Sequence, residues 1–352
     1  MEFKKRIDAF ITLGKYLNTL ADAYESTDDK PTSSSWGQAI QTLQRAKVEN
    51  SWFTTNNITY ALRSWAQALT EDNLLAWTSR YQFPSQTTPK TVSVIMAGNI
   101  PLVGFHDFLS VLISGNKITV KLSSNDRILL PFIANFLIQQ DPEFENLIHF
   151  TEEKLDKFDA VIATGSDNTA RYFDYYFKKY PHIIRKNRNS VAVLDGTESS
   201  EDLALLANDI FLYFGLGCRN VSKLYVPENY NFKDFFEAVY TWKDLIYNHR
   251  YMNNYDYNKA VYLMSNIGLL DNEFMLLKHD KGFSSPIAVV FYEEYTSKEK
   301  LQEYLEASSE SIQCVVSKTG IPNEFSFGEA QQPKLWDYAD GIDTLEFLMN
   351  IS

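Results

Sequence analysis

The sequence predicts an α/β fold, and two observations carry that expectation. From about residue 91 short apolar runs ending in glycine or polar turns alternate with stretches of helical periodicity. The composition, 45% hydrophobic and 14% aromatic over 352 residues, is ample for the buried sheets that such an alternation implies. Strands taking turns with helices require right-handed crossovers and therefore mostly parallel sheets. The dinucleotide fingerprint G-x-G-x-x-G is absent, so no glycine motif declares the ligand.

The elements follow in order. Residues 1–88 read as helical, with apolar positions three and four apart in "WGQAIQTLQRA" and "ITYALRSWAQAL" and a polar loop "STDDKPTSSS" at 26–35. "TVSVIMAG" is a buried strand, and "PLVGFHDFLSVLIS" is a helix with Pro101 where it begins. "NKITVKL", "KFDAVIATG", "NSVAVLDG" and "SKLYVP" read as strands, separated by the helices "RILLPFIANFLIQQ", "DNTARYFDYYFKKY" and "SEDLALLANDIFLYFG". After 228 the pattern loosens into a smaller α/β lobe, with the helix "NFKDFFEAVYTWKDLI", the strand in "SSPIAVVFYEEY", the helix "SKEKLQEYLEAS" and a helical tail. No internal repeat or low-complexity tract interrupts it.

Charge and cysteine content exclude several classes. With 33 basic and 45 acidic side chains the formal charge is −12, which argues against nucleic acid and anionic membranes as partners. Two cysteines, Cys218 and Cys314, fit a reducing compartment better than a disulfide framework. The start of the chain has no long apolar region with a small-residue cleavage site, and no apolar run approaches the length of a bilayer span. A cytoplasmic protein is expected.

Five stretches could carry chemistry. In "FGLGCRN", Cys218 follows a helix over about 200–214 whose face of Leu203, Leu206, Ile210 and Phe214 ends at Gly215 and Gly217. A thiol on such a turn is a candidate nucleophile, although a lone cysteine is more often a small buried hydrophobe. Asn99, after the strand ending at Gly98, could donate into a cleft as an oxyanion site requires, or merely form a turn. Lys121, Ser123 and Ser124 stand at the C-terminal end of another strand, the side on which α/β sheets bind ligands. Gly165 allows close backbone approach, and Ser166 or Asp167 can cap the following helix, whose N-terminus would suit an anion. "KKYPHIIRKNRN" at 178–189 gathers five basic residues and a histidine, able to meet a phosphate or simply be solvated.

The order and spacing of these stretches, with "GNIP", "ATGS", "NSWFTTNNI" and the tail "QPKLWDYADGIDTLEFL", resemble the aldehyde dehydrogenase superfamily. The nearest branch is that of acyl-CoA reductases, typified by the reductase component of bacterial luminescence fatty-acid reductases. The resemblance implies two lobes, each with a mostly parallel sheet, meeting around the thiol. It divides the chain into a helical region (1–88) packed on a cofactor lobe (89–205), a catalytic lobe (206–325) and a tail (326–352). It implies that Cys218 forms a thioester, and that Asn99 with the Cys218 N–H makes an oxyanion hole. Lys121 would hold the adenosine ribose, Ser123 and Ser124 a 2′-phosphate, and Gly165 with Ser166 the pyrophosphate of the cofactor. Arg185, Lys186 and Arg188 become candidates for binding the substrate, and no metal is implied.

Two departures from the superfamily pattern refine this. Ile184 stands where hydrolytic members carry the glutamate that activates water, and "GFSSPIAVV" replaces the stretch whose glutamate grips the nicotinamide ribose. The reaction implied is reduction of an acyl-CoA, fatty acyl by family, to the aldehyde with NADPH, coenzyme A leaving. NADH in place of NADPH, an acyl-donor protein in place of free acyl-CoA, and an inactive partner-binding subunit are the alternatives. An aldehyde-oxidising dehydrogenase is disfavoured by the missing glutamate. The general acid or base is left open among His106, His182 and His279, as are acyl length and homo-oligomerisation.

Overall fold

A computed structural model describes residues 1–26, 36–83 and 88–351. The polar loop expected over 26–35 therefore lies outside the described residues from 27 onward. The chain forms two compact units, Met1–Lys186 with Lys334–Ser352, and Asn187–Pro333. The first boundary thus falls before the expected 205/206, and the tail is divided, with 334–352 returning to the first unit. Strand pairing explains the shift: Asn189–Val193 is hydrogen-bonded into the second unit's sheet, so it cannot belong to the first.

The first unit opens with four helices, α1 (Phe3–Glu25), α2 (Gly37–Glu49), α3 (Thr55–Ala68) and α4 (Glu71–Thr78). In α1, Phe10, Leu13, Leu17 and Leu20 recur at helical spacing and are fully buried. Gly14 lies on the same face, where a Cβ would stand 2.9 Å from the Leu69 Cβ. Thr54 and Thr70 cap α3 and α4, accepting from Asn57 N and Asn73 N.

The sheet of this unit follows as β1 (Thr91–Ile95), α5 (Phe105–Ser114), β2 (Lys117–Lys121), α6 (Leu129–Gln140), β3 (Ile148–Phe150), β4 (Ala160–Thr164), α7 (Asp167–Phe177) and β5 (His182–Arg185). Its strands are all parallel, in the order β3-β2-β1-β4-β5. Order reverses between β1 and β4, which opens a crevice at their C-terminal ends, the usual ligand position of such sheets. The helix expected at Pro101 starts four residues later at Phe105, because Pro101–Gly104 form a turn in which Leu102 has φ +58°. A helix cannot pass through a left-handed leucine. β5 lies inside the run read as a basic loop.

The second unit contains β6 (Asn189–Val193), α8 (Ser200–Phe211), β7 (Val221–Pro227), α9 (Lys233–Val239) and α10 (His249–Met264). It continues with β8 (Leu269–Asp271), β9 (Leu276–His279), β10 (Val289–Tyr295), α11 (Lys298–Ala307) and β11 (Ile312–Ser317). The sheet order is β11-β6-β7-β10-β9-β8, parallel except for the β8–β9 pair. A capping box of Ser199 and Asp202 starts α8. The tail helix of the first unit is short, Thr344–Met349. Among the described residues no helix is long and apolar enough to cross a membrane.

Candidate active site

The turn that carries Cys218 departs from the expected helix to 214. Helix α8 ends at Phe211, and Tyr213 and Phe214 take φ of 54° and 59° before Gly215 at 75°. Two aromatic residues in left-handed conformation are strained by about 1–2 kcal/mol each, so the surroundings must hold them. Asn220, buried to 2% exposure, does so. Its Nδ2 donates to the carbonyls of Asp209 (3.0 Å), Ile210 (3.3 Å) and Leu212 (2.8 Å), groups that the end of α8 leaves without helical partners. Its Oδ1 accepts from Gly217 N at 2.8 Å, one residue before the cysteine.

The Cys218 carbonyl is fixed from the other side by Ser190 Oγ, which donates to it at 2.9 Å. Ser190 Oγ also lies 2.9 Å from Cys314 Sγ. Since the hydroxyl proton goes to the Cys218 carbonyl, the thiol of Cys314 is the donor in that second contact. Burial pushes the Cys314 thiol up to about 11, against the lowering influence of Arg219. The two cysteines are therefore sorted: Cys314 is an interior thiol, while Cys218 is exposed on its turn. The Arg219 guanidinium sits over the Phe325 ring at 5.1 Å. Beneath the turn Asp209, wholly buried, accepts from Gly328 N (2.6 Å) and Ala330 N (3.1 Å), and burial raises it to about 7.

In the first unit the other expected residues line the C-terminal edge of the sheet. Asn99 follows β1, Lys121 ends β2 with Ser123 and Ser124 behind it, and Gly165 and Ser166 join β4 to α7. Lys121 Nζ donates to the Glu153 carbonyl at 3.1 Å, and Ser124 is exposed. Ser166 is the cap of α7, its Oγ accepting from Thr169 N. A Cβ on Gly165 would meet Thr169 and Phe173 at 3.0 and 3.1 Å, and one on Gly98 would meet Ser123 at 2.7 Å. Both glycines thus keep the backbone close to its neighbours at this edge.

The residues expected to bind the substrate lie in and after β5. Arg185 is buried at the end of β5, where NH1 bonds the Asp107 carboxylate at 2.9 Å and NH2 the Thr344 hydroxyl at 2.8 Å. It ties α5 and the tail to the sheet. Lys186 is exposed, and Arg188 donates to the Ser309 carbonyl at 3.1 Å. His106 also has a packing role: Nε2 meets the Leu335 carbonyl at 2.9 Å and the ring packs against Trp65, Trp77 and Tyr338. Sequence reasoning missed Asn220, Ser190 and Asp209, although the polar "RN" after the cysteine was a signal for the first.

The architecture defines the class. The fold is that of aldehyde dehydrogenases: an indole-3-acetaldehyde dehydrogenase of P. syringae, in complex with NAD+ and IAA, superposes with a TM-score of 0.63 at 14% identity, over 91% of this chain and 72% of that one. Aldehyde dehydrogenase 21 from Physcomitrella patens, in complex with succinate, gives 0.63 at 13% over 92% and 74%. Within that class, the acyl-CoA reductase (LuxC) family matches residues 15–241, and the chain belongs to it. A long-chain acyl-protein thioester reductase of Aliivibrio fischeri is 25% identical over 170 residues, 42% of this chain and 34% of that protein. Long-chain acyl-protein thioester reductase 2 of Photobacterium leiognathi is 22% identical over 204 residues, 52% and 42% respectively. The matches thus span between a third and under half of those relatives' length.

Proposed function

We propose that this chain reduces a long-chain acyl-CoA to the aldehyde through a thioester on Cys218, with NADPH as reductant. The observation that carries this reading is the Cys218 turn: an exposed thiol whose backbone is held on both sides, by Asn220 through Gly217 and by Ser190. Such fixation is what a nucleophile needs to meet a carbonyl in one geometry.

The Cys218 thiolate attacks the acyl carbonyl, and the negative oxygen is received by the Cys218 N–H, with the Asn99 amide as the second donor that the family resemblance implies. Expulsion of the coenzyme A thiolate leaves the acyl group on sulfur. A reduced nicotinamide, when bound, supplies the hydride. Cys218 then carries a thiohemiacetal, whose C–S bond breaks to release aldehyde and restore the thiolate. Ile184, at the place of the water-activating glutamate, cannot direct water to the thioester, which favours reduction over hydrolysis.

The edge of the first unit's sheet fits a nicotinamide dinucleotide. The strand order reverses there, α7 presents a capped N-terminus after Gly165, and Lys121, Ser123 and Ser124, to which the family resemblance gives the ribose and its 2′-phosphate, follow at the end of β2. Several of the structurally similar dehydrogenases hold NAD+, which favours a cofactor of this class and leaves NADH as the rival to NADPH. Titration of the protein with NADPH and NADH, followed by quenching of nicotinamide fluorescence, tests this: Lys121→Ala should weaken binding about tenfold. Unchanged affinity would remove Lys121 from the site.

A second reading of the donor rests on the printed activity of the relatives, reductases of an acyl-protein thioester. In it the same Cys218 chemistry receives the acyl group from a protein. Mixing the chain with acyl-CoAs of graded length separates the two, since only the first reading gives a Cys218 adduct without a donor protein.

A further inference from the structure

The turn after β1 is held by a carboxylate that no part of this reaction scheme uses. Asp126 is buried to 7% exposure between β2 and α6. Its Oδ2 accepts from Leu102 N and its Oδ1 from Leu129 N, both at 3.3 Å. The second bond caps the start of α6. The first reaches across to the loop that carries Asn99, three residues before Leu102.

Leu102 is a residue under strain. Its φ of +58° is unfavourable for a branched side chain, yet the side chain is buried. Its carbonyl closes a turn onto Phe105 N at 3.0 Å, and its N–H points at Asp126. The carboxylate also stands on a braced base. Ser123 Oγ accepts from Asn125 N, the Ser123 carbonyl from Asp126 N, and the Asn125 carbonyl from Asn50 Nδ2. Gly98 lies against that same turn so closely that a Cβ would meet Ser123 at 2.7 Å and Asp126 N at 3.1 Å. Beneath, a cavity of about 10 Å³, roughly one water, is lined by Met96, Leu102, Leu122, Asp126 and Leu130. Asn99 is thus bracketed, by Gly98 on the Ser123–Asp126 turn and by Leu102 on the Asp126 carboxylate.

We propose that Asp126 is a positioning residue for acylation, holding Leu102 in its left-handed turn and thereby fixing where Asn99 carries its side-chain amide. The inference rests on the reading of Asn99 as an oxyanion donor. A threonine at 126 keeps a capping oxygen for Leu129 N and cannot serve Leu102 as well. An asparagine keeps the shape but turns an NH₂ towards one of the two N–H donors. Either should displace the loop and leave α6 in place.

The test compares two reactions of the same thiol in the whole chain. p-Nitrophenyl octanoate acylates a thiolate whatever the natural donor: sulfur bonds to the carbonyl carbon, the ester C–O bond breaks, and p-nitrophenolate leaves. That step develops an oxyanion. Iodoacetamide alkylates the same thiolate by displacing iodide and develops none. Asn99→Ala should slow acylation about 100- to 1,000-fold. D126T and D126N should slow it at least about tenfold, add nothing in the Asn99→Ala background, and leave alkylation unchanged. Continued protection of Cys314 from iodoacetamide reports that each variant is folded. Acylation at the wild-type rate in D126T and D126N, a loss that adds to that of Asn99→Ala, or an equal fall in alkylation would overturn the proposal. A wild type that alkylates at Cys218 but is not acylated, or a Cys218→Ala variant that still releases p-nitrophenolate, would instead sink the thioester reading beneath it.

Discussion

Asn220 Nδ2 donates to the Leu212 carbonyl at 2.8 Å, closing a reversal of the chain just before Cys218. The same side chain reaches two further carbonyls and the Gly217 N–H. Asn220→Ala should therefore leave several polar groups of a buried turn unmatched and cost about 2–4 kcal/mol, since each unsatisfied group costs about 1–3 kcal/mol and water can reach some of them. Urea denaturation followed by intrinsic fluorescence measures this. A loss under about 0.5 kcal/mol, the range of neutral surface changes, would mean that the turn holds itself.

The two thiols should differ in reach. Native protein treated with iodoacetamide at pH 8 should take one label, on Cys218, and protein in guanidinium two. Cys314 lies in the interior and titrates at about 11, so both access and thiolate fraction protect it. Peptide mapping that found Cys314 labelled first in native protein would contradict the assignment of roles.

Asp209 should make stability depend on pH. Its folded pKa of about 7 lies above the ordinary carboxylate value. The native state holds this proton more tightly than the unfolded chain, so the contribution is fully present below about pH 4 and is lost as pH rises to about 7. The loss can approach about 4 kcal/mol. Asp209→Asn removes this titration, so wild type should lose stability relative to it between pH 4 and pH 8. Parallel stability curves for the two proteins across that interval would refute the shift.

Arg185 and Asp107 form a buried ion pair, with side-chain exposures of 9% and 5%. Arg185→Ala strands the Asp107 carboxylate and should destabilise by about 3–5 kcal/mol. Replacing both, as Arg185→Met with Asp107→Leu, should recover much of that. If Arg185 instead served the substrate, Arg185→Ala would raise KM at unchanged stability, which denaturation and steady-state kinetics together distinguish.

The sequence made the alternation of β1, α5, β2, α6, β4, α7, β6, α8 and β7 legible because each strand is a short run rich in apolar and β-branched residues and each helix has a clear periodic face. β5 was hidden because its Ile183 and Ile184 sit among lysines and arginines, and a four-residue strand has too few positions to declare a period. β3 and β8, three residues each, escaped for the same reason. The residues expected to do chemistry could be named from motif order. Their supports could not, because Asn220, Asp126 and Asp209 act by satisfying backbone groups that only the folded turns bring to them, and the left-handed Tyr213 and Phe214 break the preference by which turns are read.

The central claim is that Cys218 accepts an acyl group. The most direct measurement is intact-protein mass spectrometry after mixing with acyl-CoAs of graded length, without reduced cofactor. The account predicts an adduct of acyl mass on wild type, absent in Cys218→Ala and discharged as aldehyde on adding NADPH. An adduct that persists in Cys218→Ala would contradict it.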